Sequence, residues 1–475
     1  MIRTLSAILF VTVLLLNALP AAADFDDHFT GRSLRFDYFH TGTAGEEHIS
    51  LDELRLESDW PGSRIQLIDG TGLGKYRFEV TEAGGGAVLY SRGFASIYGE
   101  WETIGEARQG NWRTFHESQR FPEPKQPVDL VLHKRQGDGT FAEIFRRTVD
   151  PAHRSVNRSP LEPVGTPWTV FEHGPPAKKV DLLVLGDGYT AAEMSTFRDD
   201  VKSLMDHLFT TAPFDHHKKD FNVRAIDLPS RESGVTKPRE DVWRNSPLGL
   251  SYNAFDSERY ILTYSNRALR EAAALAPYDA LILLANQRKY GGGGIFNLWT
   301  TAAAGSGEAP YLVVHEFGHS FAGLGDEYYT SQVSYEDFTA PGTEPWSPNV
   351  TALLDPENLK WRHLVTAETP IPTPWDQDEY DTLSLAYQEK RQKLRAEGAS
   401  EEEMEALFDE VKAQTIPFLG AQEHAGKVGA FEGAGYQAKG LYRPALDCIM
   451  FTRNPKTFCP VCSEGIGRVI ALYTE

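Results

Sequence analysis

Residues 311–328 read Tyr-Leu-Val-Val-His-Glu-Phe-Gly-His-Ser-Phe-Ala-Gly-Leu-Gly-Asp-Glu-Tyr. His315 and His319 are four apart, which on a helix places two imidazoles on one face, close enough to share a metal ion. Glu316 is turned by about 100° from His315, so it stays out of that grip while its carboxylate reaches a water held by the ion. Two imidazoles, a metal and a carboxylate base suffice to hydrolyse an amide. Leu312, Val313, Val314 and Phe317 make this helix apolar enough to lie at the floor of a cleft. Gly323 is placed to end it in the left-handed conformation. Asp326, three residues further, lets the returning chain offer a third, oxygen ligand, with Glu327 in reserve. The competing reading is a buried helix whose histidines merely make hydrogen bonds. The glycine turn and the acidic pair weigh against it.

Further motifs lie downstream. Residues 429–436 read Gly-Ala-Phe-Glu-Gly-Ala-Gly-Tyr, residues 441–444 read Leu-Tyr-Arg-Pro, residues 447–451 read Asp-Cys-Ile-Met-Phe, and residues 458–462 read Phe-Cys-Pro-Val-Cys. With the histidine segment, these resemble the IgA-peptidase family of metzincin-like zinc peptidases. The resemblance extends over most of the chain, since such proteins also carry an N-terminal β domain. It implies one catalytic Zn2+, with His315 and His319 as ligands and Glu316 as general base. It also implies that Met450 belongs to a methionine turn flooring the metal site. The commonest metzincin spacing would put the third ligand at Gly325. The glycine is displaced by one residue as well, so the interval from Gly323 to Asp326 is kept, as in a helix one residue longer. Asp326 is therefore the expected third ligand. Tyr442 and Arg443, shortly before the turn, are oxyanion candidates by position alone.

All three cysteines, Cys448, Cys459 and Cys462, fall within this last region. In an oxidising compartment one pair is expected to form a disulfide. Cys448 with Cys459 or with Cys462 would staple the methionine turn to the final helix. A second metal held by the cysteines lacks a nearby fourth ligand in sequence.

The N-terminus reads as an export signal. A basic start at Arg3 precedes an apolar run from Leu5 to Leu19, and Ala21-Ala22-Ala23 offers a small-residue cleavage site. Roughly 15 apolar residues are short for a bilayer span. The expectation is a secreted or periplasmic protein, cleaved near Ala23, with no integral membrane span. A net charge of −20 over 475 residues argues against nucleic acid or anionic membranes as partners.

Residues 24–150 carry short alternating segments between glycine turns, such as Leu34-Arg-Phe-Asp-Tyr-Phe39 and Tyr76-Arg-Phe-Glu-Val80. They predict an antiparallel β-sandwich, with no catalytic set of its own. Residues 151–170, rich in Pro, Ser and Arg, read as a linker. Residues 171–475 should form the metzincin-like peptidase domain, in which Val180-Asp-Leu-Leu-Val-Leu185 is a buried strand and Thr190 caps a helix. Four glycines at 291–294 suit either a flexible loop or an edge strand that a backbone approaches closely. Residues 379–422, with a capping box at Ser400, read as an inserted helical hairpin, more naturally a solvated insert than a wall of the cleft. The fold class is thus α+β: a sandwich followed by a zincin with a helical insertion.

These features imply a secreted zinc endopeptidase acting on a protein or peptide substrate. Alternatives are a zinc amidase acting on cell-wall peptides and a surface binding protein built on a peptidase scaffold. Nothing in the sequence specifies immunoglobulin as the substrate or sets an oligomeric state.

Overall fold

The structure, a computed structural model, describes residues 25–331, 340 and 342–474; the expected export signal lies outside the described residues. Among the described residues, the N-terminal part holds eight strands: β1 (Phe29–Gly42), β2 (Glu47–Asp59), β3 (Tyr76–Glu82), β4 (Val88–Phe94), β5 (Arg113–Pro124), β6 (Val128–Arg135), β7 (Phe141–Val149) and β8 (Val156–Asn157). They form two four-stranded sheets, ordered β5-β1-β2-β8 and β4-β3-β6-β7. All pairings are antiparallel except the two-residue contact of β8 with β2. The sheets face each other through aromatic side chains. The Phe36 ring is 6.4 Å from that of Phe78 and 5.5 Å from that of Phe145.

The other face of β1 is covered too, which is why its sequence alternates imperfectly. Arg35 is fully buried there and pairs with Glu57 at 2.7 Å and Asp37 at 2.8 Å. Arg120 joins Glu57 at 2.9 Å and donates to the Tyr278 carbonyl at 2.8 Å, tying the sandwich to the rest of the chain. Short helices α1 (Phe25–His28), α2 (Ile97–Trp101) and α3 (Gly105–Arg108) complete this part.

The next sheet has six strands: β9 (Thr166–Phe171), β10 (Val180–Asp187), β11 (Phe221–Asp227), β14 (Ala280–Ala285), β15 (Gly292–Ile295) and β16 (Trp299–Ala303). Its order is β15-β16-β14-β10-β11-β9. The inner four are parallel and the two edges antiparallel. All eight residues of β10 are buried, as expected of a parallel strand covered on both faces. Two small hairpin-like pairs, β12 (Leu250–Ser251) with β13 (Leu262–Thr263) and β17 (Phe431–Ala434) with β18 (Gln437–Arg443), lie outside it.

Among the described residues, seven helices accompany these strands: α4 (Met194–Leu208), α5 (Phe214–His217), α6 (Asn266–Ala273), α7 (Ala309–Ala322), α8 (Gln377–Ala396), α9 (Glu401–Gly420) and α10 (Pro460–Ile470). Thr190 caps the turn entering α4 through a capping box with Glu193, and Ser400 caps α9 through one with Glu403.

One expectation is corrected and one open alternative is decided. The end of the stretch read as a linker is β9, paired with β11; its exposed, mixed residues hide an edge strand. Of the two readings of the glycine run, the structure shows the edge strand, β15. A Cβ on Gly294 would stand 2.2 Å from the Glu316 carbonyl oxygen and 2.8 Å from the His319 Cβ. The strand therefore lacks side chains there because it lies directly against α7. Among the described residues, no helix is long and apolar enough to cross a membrane.

Candidate metal centre

Helix α7 carries both histidines, with His315 buried at 4% exposure. Gly323 closes the helix at φ +63°, and the Gly323 and Leu324 amides donate back to the His319 and Gly318 carbonyls at 3.0 and 3.2 Å. That left-handed closure turns the chain so that Asp326 faces the helix it has just left. Asp326 Oδ1 is 3.2 Å from Nε2 of His315 and 3.2 Å from Nε2 of His319, and the two Nε2 atoms are 3.1 Å apart.

Hydrogen bonds fix which ring nitrogens face this centre. His315 Nδ1 lies 2.9 Å from the Ile449 carbonyl oxygen, and His319 Nδ1 lies 2.6 Å from that of Leu324. A carbonyl only accepts, so each Nδ1 carries the proton and each Nε2 presents a lone pair inward. Asp326 Oδ1 is buried without a hydrogen-bond donor among the described residues. Three electron-pair donors at mutual contact with no proton between them are a cradle for a cation. Burial opposes ionisation of Asp326, yet the two imidazoles outweigh it and hold the carboxyl far below its usual range.

A carboxylate oxygen of Glu316 lies within 4.8 Å of a ring nitrogen of each histidine, and burial pushes its carboxyl above the ordinary range. It lines the cleft together with His315, His319 and Asp326. Tyr436 donates to Asp326 Oδ2, and the Tyr328 ring stacks over His315 at 6.2 Å. Neither tyrosine belongs to the expected site. Tyr436 stands in the glycine-rich segment 429–436, but its partner is 110 residues earlier, a separation that no local spacing rule spans.

Met450 is fully buried, with its sulfur 3.1 Å from where a Cβ on Gly318 would stand, so it packs under α7. Its turn braces the centre through the backbone: Ile449 accepts from His315, and Met450 accepts from the Glu327 amide at 2.9 Å. Glu327, the reserve ligand, belongs elsewhere. Its Oε1 is 3.2 Å from the Cys462 sulfur.

The oxyanion candidates are not in the cleft. Arg443 is fully buried between Trp375 and Phe451 and donates to the Glu432 and Gly433 carbonyls. The Tyr442 hydroxyl is directed to Glu432 at 3.5 Å. The expected disulfide is absent as well. All three cysteines are free, with the sulfurs of Cys448 and Cys462 3.8 Å apart. The helical hairpin does wall the cleft, contributing Tyr380, Tyr387 and Arg391 from α8 and Phe408, Val411 and Lys412 from α9. Lys75, Ala95 and Glu100 of the N-terminal β region line it too.

The family model of IgA Peptidase M64 matches residues 169–470, and that of the Peptidase M64 N-terminus matches residues 24–146. The chain belongs to the IgA peptidase M64 family. It is accordingly a metallopeptidase, a hydrolase whose substrates are proteins or peptides. No curated protein matches it. Within the M64 match fall His315, Glu316, His319 and Asp326, and residues 24–146 supply the β region whose edge borders the cleft.

Proposed function

We propose that this chain is an exported zinc endopeptidase of metzincin type, with His315, His319 and Asp326 as metal ligands and Glu316 as general base. The observation that carries the reading is the convergence of three proton-free donor atoms to 3.1–3.2 Å of one another beside a cleft-lining carboxylate. Nitrogen and oxygen donors of this number, with a cleft on one side, suit catalytic zinc. Zinc bound there supplies the Lewis acidity that makes water nucleophilic near neutral pH.

The chain's own residues do the rest. Glu316 takes the proton of the attacking water and delivers it to the leaving amine. The Ile449 and Leu324 carbonyls hold both imidazoles in the ligating tautomer. In β15 the amide and carbonyl of Gly292 turn away from β16, toward Arg259 and Ile261. Alternation gives Gly294 the same outward direction, where it can pair with an extended substrate. Arg259 and Arg453 line the cleft stacked on aromatic rings, Arg259 on Tyr328 and Arg453 on Tyr290 and Phe408, and their positive charge favours a substrate bearing an acidic side chain. Export rests on the composition of residues 1–23.

The test compares digestion of an unfolded protein by the wild type and by Glu316→Gln, with metal content measured on both. Loss of about 10²–10⁴-fold in rate with metal retained is expected. Near-native turnover by the variant would sink the assignment. The sequences cleaved by the wild type report whether acidic residues flank the scissile bond.

A further inference from the structure

A second cluster of ligating groups lies one residue beyond the first. Glu327, Cys448, Cys459 and Cys462 each place one donor atom within 4.8 Å of the others, and all four residues are buried. The Cys448 and Cys462 sulfurs are 3.8 Å apart, far beyond the roughly 2.05 Å of a disulfide, and Glu327 Oε1 is 3.2 Å from the Cys462 sulfur. The Cys459 amide points to the Cys448 sulfur at 3.3 Å, and the Cys462 amide to that of Cys459 at 3.5 Å. Asn349 donates to Glu327 Oε1 at 2.9 Å, while Glu327 Oε2 is buried with no hydrogen-bond partner among the described residues.

We infer that Glu327, Cys448, Cys459 and Cys462 form a second metal site, holding a structural zinc ion. Tetrahedral zinc with bonds to sulfur of about 2.3 Å separates its sulfurs by about 3.8 Å, the spacing found. Thiolates select soft or borderline ions, and Cys459-Pro-Val-Cys462 has the two-residue gap common in zinc sites. The sequence lacks a fourth ligand nearby, and the fold supplies one from 121 residues before Cys448, in Glu327. A carboxylate buried without a positive partner is costly; the buried guanidinium of Arg443 donates to backbone carbonyls rather than to Glu327. Full enclosure leaves no open position for water, so the ion would be structural rather than catalytic. Its work would be to clamp the Asp326–Glu327 loop, the Met450 turn and the start of α10 together. It thereby fixes the third ligand of the first centre from behind.

The test loads the purified protein with cobalt(II), alongside His315→Ala/His319→Ala, which removes the first centre, and Cys459→Ser/Cys462→Ser, which removes the second. Two ions per wild-type chain and one per chain of either variant are expected. Thiolate-to-cobalt charge-transfer absorption should be equal in the wild type and the histidine variant, and lost in the cysteine variant. Thiolate absorption with only one ion in the wild type would uphold this site while failing the histidine centre. Should the cysteine variant not fold, the wild-type spectrum and stoichiometry decide. Absence of thiolate absorption in the wild type, or a disulfide found by mass spectrometry of the unreduced protein, overturns the site.

Discussion

Asp326 and Glu327 are neighbours in the chain, yet their carboxylates serve two different clusters: Asp326 Oδ1 meets two imidazoles at 3.2 Å, and Glu327 Oε1 meets the Cys462 sulfur at 3.2 Å. The Met450 carbonyl holds the peptide between them by accepting the Glu327 amide at 2.9 Å. A shift of this loop therefore moves both clusters at once.

Tyr436→Phe tests how Asp326 is held. It removes the hydroxyl that donates to Asp326 Oδ2 and leaves the ring. Groups that orient metal ligands are typically worth 10–100-fold in affinity, so competition with a chelator should show metal binding weakened by about that factor. Unchanged affinity would mean that the α7 closure alone positions Asp326.

Two glycine substitutions should act in opposite directions. In Gly294→Ala the new methyl would meet the Glu316 carbonyl oxygen at 2.2 Å, and neither backbone can yield without moving the edge strand off α7. Thermal unfolding should report a loss of about 1–3 kcal/mol, and KM should rise with it. Gly467, inside α10, has nothing within 4 Å of its would-be Cβ. There Gly467→Ala should stabilise by about 0.5–1 kcal/mol. A stable, fully active Gly294→Ala protein would refute the close-approach account of the glycine run.

The N-terminal β region should have its own pH optimum of stability. His40 is buried, stacked on Tyr98 at 3.8 Å and edge-on to Tyr76, and lies between Glu47 at 2.9 Å and Glu117 at 3.2 Å, with Lys134 on the far side of Glu47. Burial disfavours its charge, but the two carboxylates outweigh that and raise it above 6.5. Burial raises Glu47, yet His40 and Lys134 prevail and lower it from 4.5 to about 2. The His40 contribution is whole below 6.5 and fades as pH climbs through its raised value. The Glu47 contribution is whole above 4.5 and fades as pH falls toward 2. Together they are greatest between pH 4.5 and 6.5. Melting curves of His40→Gln should lose the decline on the alkaline side; an unchanged profile would assign it to other groups.

Arg443→Lys separates structure from catalysis at the former oxyanion candidate. The guanidinium bonds the Glu432, Gly433 and Leu446 carbonyls and stacks on Phe451 at 3.9 Å, a planar fit that an ammonium cannot reproduce. The melting temperature should drop while kcat per folded molecule holds. A selective loss of kcat at unchanged stability would restore a role for this residue in the reaction.

What the sequence determined by itself is confined to short range. His315, His319, Gly323 and Asp326 fall within twelve residues, where helical rotation and one left-handed glycine decide the geometry, so their meeting was legible before any fold. The cap at Thr190, the capping box at Ser400 and the buried strand β10 were legible for the same reason. Tertiary structure decided the rest. It brought Tyr436 to Asp326 and Glu327 to the three cysteines, withdrew Tyr442 and Arg443 from the cleft, and laid α8 and α9 along its wall. Those contacts join residues tens to more than a hundred positions apart. Their partners are chosen by how sheets and helices pack, and no periodicity within one segment records that choice.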